Sequence, residues 1–178
     1  MRLDRLGTTL NSSAWGDEMM RRILALWLAV AAALSIGGVA HAQMVTAKDP
    51  SSVIKALQKA GYKAELGKDD SGDPLIQSAS SGSNFAVLFY GCTDNHDCAR
   101  VQFAVTYTDR KGTSLEAFNA WNAKNYFGRV YRTEEGNARL EMDVDLDDGG
   151  MSALLFQDNL EWWVTIMANF EKHLNAQG

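Results

Sequence analysis

The sequence predicts an α+β domain, a twisted antiparallel sheet packed by helices in the order α-β-β-β-β-α-β-β-α. Three observations predict it. Residues 84–90 and 101–107 carry strand patterns on either side of a short loop, so they read as a hairpin. Residues 128–133 and 138–146 repeat that arrangement around Glu134, Glu135 and Gly136. From Met151 to Leu174 the apolar residues recur at helical spacing instead.

Ahead of these elements lies a segment with a different logic. Arg21 and Arg22 precede fourteen residues, 23–36, with one serine and no charge, and then come Gly37, Gly38, Val39, Ala40, His41 and Ala42. That is the charged region, short apolar run and Ala-x-Ala site of a secretory signal peptide, with cleavage expected after Ala42. A membrane span needs about 20 apolar residues, and this run stops short in glycines, so no stable membrane anchor is expected after cleavage. Residues 1–18 are polar and precede Met19 and Met20, so 1–42 read as an over-extended start followed by the signal peptide. The arginine pair lacks the phenylalanine of a folded-export signal just after it, which favours export of the unfolded chain. The expected location is therefore periplasmic or secreted.

The whole chain of 178 residues is 46% hydrophobic and 22% charged, with a net charge of −5, which excludes collagenous, low-complexity and disordered classes. Residues 43–178 keep thirteen Lys and Arg against nineteen Asp and Glu, a net charge of −6. Their length suits one core and one domain. An acidic balance argues against nucleic acid as a partner, because gripping phosphates needs a concentrated positive field.

Asp49-Pro50 opens the first helix with a capping carboxylate and a proline where its missing N–H costs nothing, and Gly61 closes it. Residues 62–66 and 75–80 read as a strand and a weaker strand, separated by the turn formers Asp69, Asp70, Ser71, Gly72, Asp73 and Pro74. In 84–90, Phe85, Val87 and Phe89 lie on one side and Ala86, Leu88 and Tyr90 on the other, so this strand belongs in the middle of the sheet. Val101, Phe103, Val105 and Tyr107 face inward, with Gln102 and Thr106 outward.

Thr113-Ser-Leu-Glu116 has the spacing of a capping box with Thr113 as the cap, opening a helix expected to end near Asn125. The second hairpin has glycine third in its loop, where φ must be positive. That register sets Val130 opposite Leu140 inside and Arg129 opposite Glu141 outside. The last helix has Asp147 or Asp148 near its start. It places Leu155, Phe156, Leu160, Trp162, Trp163, Ile166, Met167 and Phe170 within an arc of roughly 160°.

Cys92 and Cys98, at the ends of adjacent strands in an exported chain, are expected to form a disulfide across the loop neck. A redox pair usually has two residues between its cysteines, and a metal site would need more ligands than one histidine adds, so no metal or cofactor is expected. His96, beside Asp94 and Asp97, reads as a solvated loop residue, and His173 as a favourable partner of the last helix's dipole.

Asp143, Asp145, Asp147 and Asp148 do not make a calcium loop, since Asp148 and Leu154 occupy the glycine and closing glutamate positions. Alternating with Met142, Val144 and Leu146, these acids decorate the solvent face of a strand, where they offer a strip for a basic partner. Trp121, Trp162 and Trp163 offer aromatic planes but sit at helical spacing among Leu and Phe, which suits core packing, with Trp162 and Trp163 about 100° apart. The candidate interaction surface is thus Trp121, Trp162, Trp163, Asp143 and Asp145. There is no Gly-x-Ser-x-Gly elbow, phosphate-cradling glycine loop or His-x-x-x-His pair, so no catalytic residue is assigned.

The segments Phe85-Ala-Val-Leu-Phe-Tyr-Gly-Cys92, Cys98 followed by Val101-Gln-Phe103, Phe118-Asn-Ala-Trp-Asn122, Tyr126-Phe-Gly-Arg-Val-Tyr131 and Leu140-Glu-Met-Asp-Val144 together resemble the YbjN domain family. The resemblance spans residues 50–174. It implies a fold similar to the type III secretion chaperones and a role as a bacterial sensory transduction regulator, and it supplies no catalytic residues. The export signal departs from the family's cytoplasmic members. The expectation is an exported, non-enzymatic binding or regulatory domain acting through protein–protein contacts, with a second copy of the chain, a homodimer, among its candidate partners. The alternative is a small periplasmic ligand-binding protein or an unrecognised hydrolase, using Trp121 or Trp163 and the loop around His96.

Overall fold

The computed structural model describes residues 43–176, so the expected export segment and its expected cleavage point lie outside the described residues. In chain order the elements are β1 (Met44–Val45), α1 (Pro50–Lys59), β2 (Glu65–Lys68), β3 (Pro74–Ser80), β4 (Ser83–Tyr90), β5 (Arg100–Tyr107), α2 (Leu115–Asn122), β6 (Arg129–Arg132), β7 (Ala138–Asp145), β8 (Met151–Ser152) and α3 (Ala153–Asn175). Six strands form one antiparallel sheet in the order β2-β3-β4-β5-β7-β6. The expected α+β class and the expected succession of helices and sheet strands are what the chain builds. The strands β1 and β8 add a two-stranded ribbon, with Met44 opposite Ser152 and Val45 opposite Met151. Two residues are too few to show a period, so nothing in the sequence announced it.

Local chemistry accounts for the element boundaries. Asp49 caps α1 by accepting from Ser51 N–H at 3.0 Å, and Gly61 ends the helix at φ +89°, a conformation that costs glycine nothing. Two caps differ from expectation. Ser114, not Thr113, accepts from Ala117 N–H at 3.1 Å at the start of α2, because Thr113 turns its hydroxyl back to the Arg110 carbonyl. Likewise α3 is capped by Ser152, which accepts from Leu155 N–H at 3.2 Å; Asp147 and Asp148 stop short, since β8 lies between them and the helix. The helix α2 ends at Asn122 rather than near Asn125, and the side chain of Asn122 bonds the backbone of β6.

The core lies on one face of the sheet. Ile76, Val87, Phe103, Met142 and Leu140 project from it toward α3, whose Phe156, Leu160, Trp163, Met167 and Phe170 are buried against them. Trp163 is the hub, with ring centroids 5.7 Å from Phe103 and 5.8 Å from Phe85, and Trp121 sits 5.1 Å from Phe170. Full burial of each such side chain stabilises the fold by about 2–3 kcal/mol. The apolar arc of α3 is narrower than its sequence suggested, because Leu155 and Trp162 at its margin are exposed. Among the described residues no helix is long and apolar enough to cross a membrane.

Candidate binding face

Among the described residues, the other face of the sheet carries none of the core cluster and has no helix packed on it. Strand registers order it into rows. One row runs Gln77, Ala86, Ala104, Glu141 and Arg129 across β3, β4, β5, β7 and β6; the next runs Leu75, Leu88, Gln102 and Asp143. The face divides into two halves of different chemistry.

Over β3, β4 and β5 the side chains are small or flat. Ala86 stands opposite Ala104, and with Ala79, Leu75 and Leu88 they floor a hollow of about 640 Å³ rimmed by Lys63, Gln77, Asn84, Thr106, Arg139 and Tyr90. Two alanines paired at the sheet centre leave a trough, since neighbouring strands lie only about 4.8 Å apart and their longer side chains become walls. A pocket of this size, apolar below and polar at the rim, is of the kind that takes a small ligand or a few side chains of a partner.

Over β5, β7 and β6 the face is built of charges around Glu141. Its carboxylate accepts from Arg139 Nε at 2.5 Å, from Arg129 Nη2 at 2.7 Å and Nε at 3.1 Å, and from the Tyr131 hydroxyl at 2.8 Å. Burial pushes the Glu141 pKa up, but the hydrogen bonds from Arg139, Arg129 and Tyr131 outweigh it and hold the group below the ordinary glutamate range. Burial and the same carboxylate push Tyr131 up. Arg139 also donates to Thr106 at 3.1 Å, and Gln102 donates to Asp143 at 3.0 Å. At the far end the Arg100 guanidinium lies over the Tyr90 ring, 5.2 Å from its centroid. These groups, apart from Arg139 and Thr106, line a second, polar hollow of about 520 Å³. At its centre Glu141 is ion-paired with Arg129 and Arg139, and the network positions several donors and acceptors side by side.

The residues singled out in the sequence fall in three places. Cys92 and Cys98 are joined by a disulfide at the neck of the β4–β5 loop, where Thr93 and His96 exchange backbone hydrogen bonds and Asn95 reaches Ser71 and Asp73 of the β2–β3 turn. Closing a seven-residue loop is worth about 2.4 kcal/mol in the chain-entropy account. His96 in that loop contacts Asp97 at 3.0 Å. Asp143 and Asp145 lie exposed on the uncovered face, Asp143 joining the lattice through Gln102, as strand alternation led one to expect. The three tryptophans do not form one surface. Trp121 and Trp163 are buried in the core, because α2 and α3 both turn those positions toward the sheet, and only Trp162 reaches solvent. His173 packs its ring against Trp121, with Nε2 3.2 Å from the Ala117 carbonyl. Among the described residues no three of His, Cys, Asp and Glu gather closely enough to hold a metal ion.

No motif in the sequence marks Glu141, Arg129, Arg139, Gln102, Ala86 and Ala104 as one site. The signal lies in cross-strand addresses: the second hairpin sets Arg129 opposite Glu141, and Ala104 joins them only when β7 is placed beside β5.

Fold and face together define a class: an α+β domain that seals one side of its sheet with helices and, among the described residues, leaves the other open as a surface. The chain belongs to the YbjN family, whose model, described as "Putative bacterial sensory transduction regulator", matches residues 49–176. That description names a regulator and no enzyme class. No curated protein matches the chain.

Proposed function

We propose that this chain is an exported, non-enzymatic regulatory domain that works by docking another protein onto the uncovered face of its sheet. The observation that carries the reading is the apolar trough over Ala86 and Ala104 beside the neutralised Glu141 lattice. An apolar floor supplies affinity when water is expelled, and fixed donors and acceptors alongside supply register. A centre whose carboxylate is already held by two guanidiniums and a phenol has the chemistry of recognition, not of turnover. Export is supported by the Arg21–Ala42 leader and by two cysteines paired as in oxidising compartments.

Crosslinking and affinity capture from the cell envelope tests the docking reading. Ala86→Arg fills the trough with a charge without entering the core, so it is expected to lose the partner that the wild-type chain recovers, whereas Gln58→Arg on exposed α1 retains it. Equal recovery by Ala86→Arg sinks the proposal. Thermal stabilisation by a small-molecule extract that Ala86→Arg abolishes, with no protein recovered, would favour a ligand binder at the same trough. N-terminal sequencing of envelope-derived protein is expected to begin at Gln43; a start within the leader would overturn the export half.

A further inference from the structure

Between α2 and β6 the chain makes a turn that ordinary side chains avoid. Gly128 N–H donates to the Tyr126 carbonyl at 2.8 Å, closing a three-residue γ-turn, and Phe127 at its centre has φ +67°. A γ-turn of this hand is rare and strained, and a bulky side chain at positive φ is an outlier. The turn is held at both ends. Asn122 binds the backbone of Val130 through two hydrogen bonds of 2.9 and 3.0 Å, and a Cβ on Gly128 would come within 2.6 Å of Ile166 Cδ1, so the loop lies hard against α3. This strain does not serve burial, for Tyr126 is 80% and Phe127 62% exposed. Backbone strain that the surroundings enforce in order to hold aromatic rings in water is characteristic of a presented binding element.

The ring of Phe127 lies against Trp162 of α3, centroids 5.0 Å apart, and Trp162 is itself 48% exposed. Beside the indole, Asp158, Glu161 and Thr165 complete a cleft of about 350 Å³. Glu161 accepts from Gln157 at 3.0 Å, and among the described residues neither carboxylate is in an ion pair. Aromatic faces and carboxylates attract the same kind of group, a cation on an apolar stem, and a planar guanidinium stacks on indole particularly well.

We propose that Phe127 and Trp162, with Asp158 and Glu161, form a docking site for a basic segment of a partner protein, which lays an arginine side chain across the indole. Charge selects this occupant, since a phosphate-bearing surface would meet two carboxylates on a chain of net charge −5. The site belongs to the helix layer and does not rest on the trough of the opposite face.

The test is fluorescence anisotropy of a labelled peptide of alternating arginine and leucine titrated with the full chain. Saturable binding is expected, at least tenfold weaker for Trp162→Ala and, separately, for Asp158→Asn combined with Glu161→Gln. A peptide with glutamate in place of arginine is expected not to bind, and Ala86→Arg to leave binding of the arginine peptide within twofold of wild type. Phe127→Gly removes the ring and relieves the positive φ, so it is expected to keep or raise the thermal midpoint while weakening binding tenfold. Equal binding of the glutamate peptide, full affinity in the neutralised double variant, or binding to phosphatidylglycerol vesicles in place of the arginine peptide would each overturn the proposal. So would a Phe127→Gly chain that melts lower and binds as before.

Discussion

Glu141 is 3% exposed although it lies on the face of the sheet that no helix among the described residues covers. Its cover is its own ligands: Arg129 from the edge strand, Arg139 two residues away on β7, and Tyr131 opposite Arg139. A carboxylate so enclosed is costly to leave half-partnered, and removing its charge leaves two guanidiniums packed together. Glu141→Gln is expected to lower stability at pH 7 by about 2 kcal/mol in denaturant unfolding. The pH dependence has a definite sign. The folded carboxyl titrates below its unfolded value of about 4.3, so its contribution is complete above that value and is lost as the pH falls through the folded one. The gap between wild type and Glu141→Gln should therefore close on acidification below about pH 4. A gap that stays constant from pH 7 to pH 3 would show that the lattice does not depend on this charge.

Among elements, the two edge strands of the sheet are finished differently. On β6, Asn122 imitates a neighbouring strand by accepting from Val130 N–H at 2.9 Å and donating to its carbonyl at 3.0 Å, which closes part of an otherwise open ladder. On the opposite edge β2 has only four residues, all exposed, flanked by the Lys63–Glu65 pair at 2.9 Å. Asn122→Ala is expected to cost about 1–2 kcal/mol and to raise association at high concentration, read by unfolding and light scattering, because the freed edge can pair with another copy. Unchanged scattering would assign Asn122 a purely local role. This device also marks what the sequence could tell. Alternation and turn residues located both hairpins, and the glycine-third loop set Arg129 against Glu141, as observed. Those signals are local. The Asn122 clamp and the Ala86–Ala104 trough join elements consecutive in the chain but turn on side-chain placement and exact register, and the meeting of Ala104 with Glu141 requires β7 to cross over and lie beside β5, which no spacing along the chain encodes. The period of α3 was legible, but its margin was not, because exposure of Leu155 and Trp162 is decided by how far the sheet beneath extends.

For the molecule as a whole, the ribbon of β1 and β8 ties the beginning of the described chain to the start of its last helix. Ala153 N–H donates to the Gln43 carbonyl at 2.8 Å, Val45 and Ala47 have no exposed surface, and Ser52 of α1 holds both the amide and the carbonyl of Thr46 at 3.0 Å. Its strand β1 lies ahead of residue 49, where the family match begins, while the partner strand β8 lies within the match. Its close approach depends on Gly150, which has φ +81° and whose position a Cβ would bring into collision with the Val45 carbonyl. Burying Val45 is worth about 2 kcal/mol, and the hydrogen bonds that order the segment add about 1 kcal/mol more. A chain beginning at residue 49 is accordingly expected to be about 3 kcal/mol less stable than one beginning at residue 43, a fall of about 10 °C in thermal midpoint for a domain of this size. Gly150→Ala should reproduce most of that loss with every residue present, since it opens the ribbon without shortening the chain. If the shortened chain loses stability and Gly150→Ala does not, the contribution comes from Val45 filling the core alone; if neither does, α3 is seated by the sheet without help from the first strand.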